Sequence, residues 1–412
     1  MQEKEVIEYG MPLPVTDTIE GLYIDDHIVV QKVLSQSSRK LYQRAANLAS
    51  SSSSSFSPAP LGSSCHRDEE IMAKSRDHYD AVGLPRSVAK GFSKDYNFTA
   101  WGTEVDSFSG RVGVRLQKLQ TIVDLVLGAF SLDYVTKRAM QQLLGLFIHP
   151  MMHRRELMSC FHHVFSWVDT IPEGGVRRIP PAVQDELIAA CLLLPLAGAN
   201  IRWPVSVRLS ATDATPTAGG GAYTTTSTEI AHTLFRFAEH KGEHSRLDWA
   251  TTSTTGCVEP ISHMVMTHPD VQQLLLSHKW EFSRGHRFRQ QAHVNLQELR
   301  AIKNEVRQLV HDGVENTRVV NLSDSRVCVG AWAKGRSSSH KLNHLLRSCM
   351  GLLLGGRIRL VNIWVDTHSN PSDAPSRFRP MEPPRALPGW ARSTLSPETI
   401  DVIMQGHQPI RL

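Results

Sequence analysis

No apolar run in this sequence is long enough to cross a bilayer. The longest, Leu187 to Ala199, has 13 residues and contains Pro195, against the roughly 20 a spanning helix needs. The N-terminus, Met-Gln-Glu-Lys-Glu, lacks the basic-then-apolar pattern of a secretory signal. A cytoplasmic or nuclear location is expected. Cysteine is sparse: six in 412 residues, at 65, 160, 191, 257, 328 and 349, with no paired spacing. That excludes a disulfide scaffold and a cysteine-based zinc site. Charge of one sign is also missing. The net value is only +5, which excludes a histone-like polybasic protein. A hydrophobic content of 41% excludes a wholly disordered chain.

What charge there is has been gathered in one place. Lys279 to Arg379 carries 17 basic and 8 acidic residues, while the rest carries 28 basic and 32 acidic. A basic segment beside a near-neutral remainder suits a polyanion partner. A solvated basic face fits the same numbers.

The chain falls into segments. Residues 1–48 hold a short apolar-rich stretch, Gly21 to Leu34. Residues 49–70 are of low complexity, with serine unbroken from Ser50 to Ser55 and prolines at 58 and 60, and read as a flexible loop. From 71 to 200 the pattern is mostly helical. Leu116, Leu119, Ile122, Val123 and Val126 recur at three- and four-residue steps, as do Leu143, Leu144 and Phe147. Pro180-Pro181 breaks this region, and Ala182 to Leu194 starts a further helix. From Trp203 the texture changes. Val205, Val207, Leu209 and Ala211 alternate with polar residues, the pattern of a half-buried strand. A turn is expected at Gly219-Gly220-Gly221. Residues 224–285 have little pattern beyond one helix near 270–278. Leu296, Leu299, Ile302, Val306 and Leu309 make a helix stripe; Arg318 to Leu322 a strand; Leu342 to Leu353 a helix capped near Ser337 to Ser339; Ile358 to Val365 a strand. Strands alternating with helices predict an α/β domain with flanking helices.

Four acids sit where these elements begin or end. Asp213 and Asp324 close strands, Glu298 lies in the first turn of a helix, and Asp373 follows the last strand. Four converging carboxylates repel unless cations neutralise them. Mg²⁺ prefers oxygen ligands, and two such ions suit phosphodiester hydrolysis. Each acid also has a plainer reading. Asp213 and Asp324 suit strand-end turns. Glu298 stands three residues after Asn295, a capping-box spacing. Asp366 rivals Asp373, being nearer the strand end.

This region resembles a retroelement ribonuclease H domain. The matching pieces stand in the family's order: Leu209-Ser-Ala-Thr-Asp213; His293-Val-Asn-Leu-Gln-Glu298-Leu-Arg-Ala-Ile302; Val319-Val-Asn-Leu-Ser-Asp324; and Trp364-Val-Asp-Thr-His-Ser-Asn370-Pro-Ser-Asp373-Ala-Pro-Ser-Arg377. Gly335-Arg-Ser-Ser-Ser-His-Lys-Leu-Asn343 is similar too. The resemblance covers about 203–380. It implies a ribonuclease H-like mixed sheet. It also implies Asp213, Glu298, Asp324 and Asp373 as catalytic metal ligands for two Mg²⁺, and a mobile loop around His368 and Asn370. The implied substrate is an RNA–DNA hybrid, with Arg284, Arg287, Arg289, Lys334, Arg336 and Lys341 as candidate backbone contacts. Two departures stand out. The 85 positions from Asp213 to Glu298 exceed what the fold needs, so either an insertion lies there or Asp213 is the wrong acid. Ser372 stands where the family usually has Ala.

Near the N-terminus, Gly21-Leu-Tyr23-Ile-Asp25-Asp26-His-Ile-Val-Val30 has apolar flanks around two acids. It resembles the Tyr-x-Asp-Asp palm hairpin of LTR- or DIRS-like retrotransposon reverse transcriptases, in which Asp25 and Asp26 would hold Mg²⁺. A charged hairpin tip reads the same way. The stretch His78 to Lys90 and Thr99-Ala-Trp-Gly102 resemble later palm segments. The implied organisation is a partial palm over 1–110, a helical thumb or connection over 111–200, ribonuclease H over 203–380 and a tail over 381–412. Only 22 residues precede Tyr23, so the palm's earlier Asp and the fingers are absent and polymerisation is not expected. The expected activity is Mg²⁺-dependent cleavage of RNA in a hybrid. A non-catalytic nucleic-acid-binding relic, or a fragment of an active polymerase, are the alternatives.

Overall fold

A computed structural model describes residues 5–6, 16–23, 26–32, 67–85, 91, 95–240 and 267–405. The chain divides into two compact units, Met1–Gly102 and Thr103–Leu412. The expected flexible stretch of 49–70 lies outside the described residues, except that Arg67–Glu70 open a helix.

In the first unit, β1 (Thr18–Tyr23) and β2 (Asp26–Gln31) form an antiparallel hairpin with Tyr23 opposite Asp26. Helix α1 (Arg67–Ala81) places Asp68, Glu69 and Glu70 in its first turn, where the helix dipole favours acids. Strand β3 is Asn97–Ala100.

The second unit opens on short strands β4 (Thr103–Asp106) and β5 (Arg111–Gly113). Then follow α2 (Leu116–Phe130), β6 (Val135–Thr136), α3 (Lys137–Met151), α4 (His163–Asp169), β7 (Val176–Arg177), α5 (Pro181–Leu193) and β8 (Gly198–Asn200). The helical stripes do what their spacing predicts. Leu119, Ile122, Val126, Leu143, Leu144 and Phe147 meet in one core with Leu157 and Leu187. Pro181 starts α5 at a position where a helix needs no backbone N–H donor.

A five-stranded mixed sheet carries the rest, in the order β11-β10-β9-β12-β13. Its strands are β9 (Val205–Ala214), β10 (Ala218–Thr225), β11 (Glu281–Arg287), β12 (Thr317–Ser323) and β13 (Ile358–Trp364). Strand β10 pairs antiparallel with β11 on one side and β9 on the other, while β9, β12 and β13 are parallel. Helices α6 (Thr228–Phe237) and α7 (Pro269–Leu276) precede β11; α8 (Val294–His311) precedes β12; α9 (Arg326–Lys334) and α10 (His340–Gly355) precede β13; α11 (Asp373–Ser376), α12 (Gly389–Thr394) and α13 (Pro397–Gln405) close the chain. The sheet is covered on both sides. Val319, Ile358 and Leu360 pack with Leu299, Ile302 and Leu346 of α8 and α10. Val320, Leu322, Val361 and Ile363 pack with Leu234, Leu275 and Ile403 of α6, α7 and α13. Burial on both faces explains why apolar residues stand at adjacent positions in β12 (Val319-Val320) and β13 (Leu360-Val361).

Three expectations need correcting. Gly219 to Gly221 form no turn; they lie inside β10, and the chain reverses at Thr215 to Thr217, where Thr215 N–H donates to Ala218 O (2.8 Å). The reason is crowding. A Cβ on Gly220 would stand 2.2 Å from Ser376 N and 2.6 Å from the Pro375 carbonyl carbon, so α11 can sit on β10 only over a glycine. The stretch 224–285 is also richer than its pattern suggests, holding α6, α7 and the edge strand β11. Finally, Glu298 does not cap a helix. Helix α8 begins at Val294 after an N-cap His293, whose Nδ1 accepts from Asn295 N–H (3.3 Å), so Glu298 falls in the second turn.

Candidate active site

Parallel pairing puts the C-terminal ends of β9 and β12 side by side, with Leu322 opposite Ala211. Asp213 stands near the end of β9 and Asp324 follows β12 directly. Helix α8 crosses that edge against β9 and β10 and delivers Glu298 to it. Carboxylate oxygens of Asp213, Glu298 and Asp324 all lie within 4.8 Å of one another. Asp213 and Glu298 are buried, at 4% and 5% exposure, and Asp324 is half-buried. One oxygen of Glu298 accepts from Ala214 N–H (3.2 Å). The other, Oε2, is buried with no partner among the described residues.

The segment after β13 completes this edge. Asn370 is buried and its Nδ2 donates to Thr212 O (3.0 Å) and to Asp324 Oδ1 (3.4 Å), while its Oδ1 accepts from Ser372 N–H (3.1 Å). One amide thus ties the segment to β9 and to Asp324. Asp373 starts α11, and its Oδ1 accepts from Arg377 Nε at 2.8 Å. It stands close enough to raise the pKa of Asp213, but outside the tight group of three. Asp366 is engaged elsewhere: its two oxygens take the Ser369 N–H (2.8 Å) and hydroxyl (3.1 Å) and cap a short 3₁₀ turn. His368 sits exposed on that turn. Ser372 is fully buried and its hydroxyl has no partner among the described residues. Ser372→Ala is expected to raise stability by about 1 kcal/mol, by deleting an unsatisfied buried hydroxyl. A thermal melt of the two proteins checks this.

No protein-family model matches this chain, and no curated protein does. Among solved structures it is similar to the foamy viral protease-reverse transcriptase in complex with RNA/DNA hybrid, at 11% identity and TM-score 0.26, over 90% of this chain and 64% of that one. A second form, bound to double-stranded DNA, matches at 13% identity and TM-score 0.29, over 85% of this chain and 54% of that one. The chain thus spans less than two thirds of the length of these neighbours. At such identities and TM-scores the site stands on its own geometry.

The electrostatics of the acids are those of a crowded, dehydrated cluster. Burial foremost, then Asp324 and Asp373, pushes Asp213 up to about 7, against the opposing effect of a hydrogen bond from Ser376. Burial foremost, then Asp213 and Asp324, pushes Glu298 up to about 9. Each carboxylate makes the next harder to ionise. A divalent cation with oxygen ligands meets that need. An unpartnered buried carboxylate oxygen, beside two more carboxylates and with no sulfur or nitrogen donor, fits a hard ion such as Mg²⁺.

A further buried acid carries little signal in the sequence. Glu305, two turns along α8 from Glu298, is 4% exposed and accepts from Ser210 Oγ (2.7 Å) and Arg208 (3.4 Å) of β9. It pins α8 to the sheet beneath Glu298. Only the spacing of seven between two acids in one amphipathic helix hints at it.

The basic candidates separate into two groups. Arg284, Arg287 and Arg289 are exposed on and just after the edge strand β11. Lys334, Arg336 and Lys341 lie at the far end of α9 and the start of α10. Arg336 is half-buried over the Phe165 ring, at 4.0 Å. The loop around it is a docking loop. Asn343 Nδ2 donates to Ser159 O (3.0 Å), and its Oδ1 accepts from Ser337 N–H (3.1 Å). Of the N-terminal pair, Asp25 lies outside the described residues, as does Lys90. Asp26 is placed only as the first residue of β2.

Proposed function

We propose that this chain is a ribonuclease H-type hydrolase that cleaves the RNA strand of RNA–DNA hybrids. Asp213, Glu298 and Asp324 would hold Mg²⁺, with Asp373 joining for a second ion. The observation that carries the reading is the meeting of three carboxylates, two of them buried, from β9, α8 and the end of β12. Such a group repels itself unless its members keep protons or a cation balances them, and a divalent cation at neutral pH meets that need. Bound there, two Mg²⁺ ions supply a nucleophile at neutral pH and neutralise charge on the leaving oxygen.

The chain's own residues supply position and access. Asp213 and Glu298 are fixed by burial, and Asp324 leaves the group open on one side to a phosphodiester. Asn370 is a positioning residue that orients Asp324 and the turn to Asp373. Arg377 holds Asp373 in an exposed ion pair that an arriving cation can replace. His368, exposed on the 3₁₀ turn before Asn370, would be the loop residue at the site's rim. Arg284, Arg287 and Arg289 line the edge strand as contacts for the hybrid's backbone, giving salt-dependent, sequence-independent binding. The test is incubation with an RNA–DNA hybrid, a DNA duplex and an RNA duplex, each in Mg²⁺ and in EDTA. Cleavage of the hybrid's RNA strand alone, and only with Mg²⁺, is expected. An uncut hybrid, or equal cleavage in EDTA, overturns the reading.

The raised carboxyls also set a pH signature. In the metal-free protein, Asp213 and Glu298 keep protons at pH values where the unfolded chain has lost them. The folded state binds more protons, so stability falls as pH rises. The fall begins in the ordinary carboxylate range, near pH 4, and ends once pH passes about 9, the folded value of Glu298. Mg²⁺ takes the deprotonated forms, so its stabilising effect should grow across the same window. Melting curves in EDTA and in Mg²⁺ over that range check this; a difference that stays flat with pH contradicts it.

A further inference from the structure

Helix α8 carries two opposite surfaces. Glu298 and Glu305 are buried on the side that meets the sheet. At about 100° per residue, Arg300, Lys303 and Arg307 stand about 200°, 140° and 180° around the helix from Glu298, on the side that faces away. They border a groove of about 410 Å³ that Arg287, Phe288 and Arg289 close from the end of β11, and Leu345 from α10. Among the described residues no acid borders it. The sequence has none from Phe282 to Gln297 and none in α10. Five cations therefore share one space with no counter-charge of their own.

Neutral partners hold these side chains and leave most of their donors over. Arg300 donates to Gln297 Oε1 (2.7 Å), Lys303 to Ser348 Oγ (2.6 Å) and Arg307 to Asn304 Oδ1 (3.2 Å). Arg287 lies over the Phe378 ring at 5.7 Å. None of the five forms an ion pair among the described residues. Burial foremost, then the charge of Arg307, lowers the pKa of Lys303. A surface that only has to stay in solution mixes both signs of charge. This one does not. Four of the five cations are arginines, whose paired N–H donors match phosphate oxygens. Phe288 adds an aromatic ring of the kind on which bases stack. Phe288 and Leu345 are the apolar residues of the lining, too few to seat the apolar face of a partner helix. The volume is that of a pocket for one small molecule, so it suits a nucleotide or two of one nucleic acid strand and not a duplex.

We propose that this groove is a second nucleic-acid site, which holds a single strand by its phosphates on the far side of α8 from the acids. The thickness of α8, about 10 Å, separates the two sites, so the strand held here is not the one at the point of cleavage. The groove needs no activity at the acids. It meets the reading above only in Arg287 and Arg289, which border both the groove and the edge of the sheet.

Fluorescence anisotropy of the full chain with a labelled twelve-nucleotide thymidine strand in EDTA tests the proposal without any nuclease readout. The strand should bind, with log K falling against log salt at a slope of about 3.5, from ~0.7 for each of five cations. A peptide nucleic acid with the same bases, which lacks phosphates, should not bind. Arg300→Gln with Arg307→Gln should weaken binding by about tenfold or more and lower the slope by about 1.4. The pair should leave the melting temperature and the cleavage of a short hybrid unchanged, because both residues face away from the acids. Arg300→Lys with Arg307→Lys should keep most of the affinity. Absence of binding by wild type, or equal binding by the glutamine pair, overturns the proposal. So does tighter binding of a twelve-residue polyglutamate than of the thymidine strand, which would assign the groove to an acidic protein segment. A wild type that binds the strand but cuts no hybrid supports the groove while overturning the reading of the acids.

Discussion

Asp324→Asn is expected to lower hybrid cleavage by about 10³-fold or more while leaving the protein as stable as before, or more so, in EDTA. The two effects run in opposite directions because the residue has two relationships. Toward Asp213 and Glu298 its charge is repulsive and raises the pKa of both. Removing it relieves the folded state. Toward a divalent cation the same charge is attractive, and an amide oxygen is a far weaker ligand than a carboxylate. The substitution keeps the side chain's size beside Asn370 and leaves its backbone oxygen to accept from Trp364 Nε1 (2.9 Å). A fall in activity with a lowered melting temperature would instead mean that Asp324 holds the fold. Unchanged cleavage would remove it from the site. Rate assays at saturating Mg²⁺, paired with melts in EDTA, separate these outcomes.

The elements that meet at this edge were legible to different degrees. The strands β12 and β13 and the stripe of α8 follow from their apolar spacing, whereas the half-buried alternation expected of β9 holds only in part: Val207 is exposed and 209–214 are buried on both faces. The place of Asp213 and Asp324 at neighbouring strand ends follows from those strands being parallel. Distance in sequence misleads at two points. The 85 positions from Asp213 to Glu298 hold β10, α6, α7 and β11, with both helices on the face of the sheet away from α8, and Asp213 still reaches Glu298. The glycines of β10 read as a turn because composition shows their lack of side chains and not the neighbour that requires it. Contacts made over long separations, such as Glu305 to Ser210 or Asn370 to Thr212, leave no local pattern.

Gly220→Ala should be among the most damaging single-methyl changes in the second unit. It should cost about 3 kcal/mol and remove most hybrid cleavage, as strong overpacking in a dry interior does. The added carbon would lie 2.2 Å from Ser376 N and 2.6 Å from the Pro375 carbonyl carbon. Both are backbone atoms, so no rotamer change relieves the clash, and either α11 lifts from β10 or β10 bends away. Gly220 pairs with Asp213 across β10 and β9, so the disturbance falls on the site from both directions. Lifting α11 withdraws Ser376 from Asp213 and moves Asp373 with it. Bending β10 shifts the strand that holds Asp213 in place. Gly221→Ala provides the comparison. Its added carbon would meet Glu305 Oε2 at 3.4 Å and no backbone atom closer than 3.8 Å, so its cost should be under about 1.5 kcal/mol. Melting curves and cleavage rates for the two variants, side by side, distinguish a requirement for glycine at one position from a general intolerance of β10. Equal effects at both positions would show that α11 does not need the close approach over Gly220.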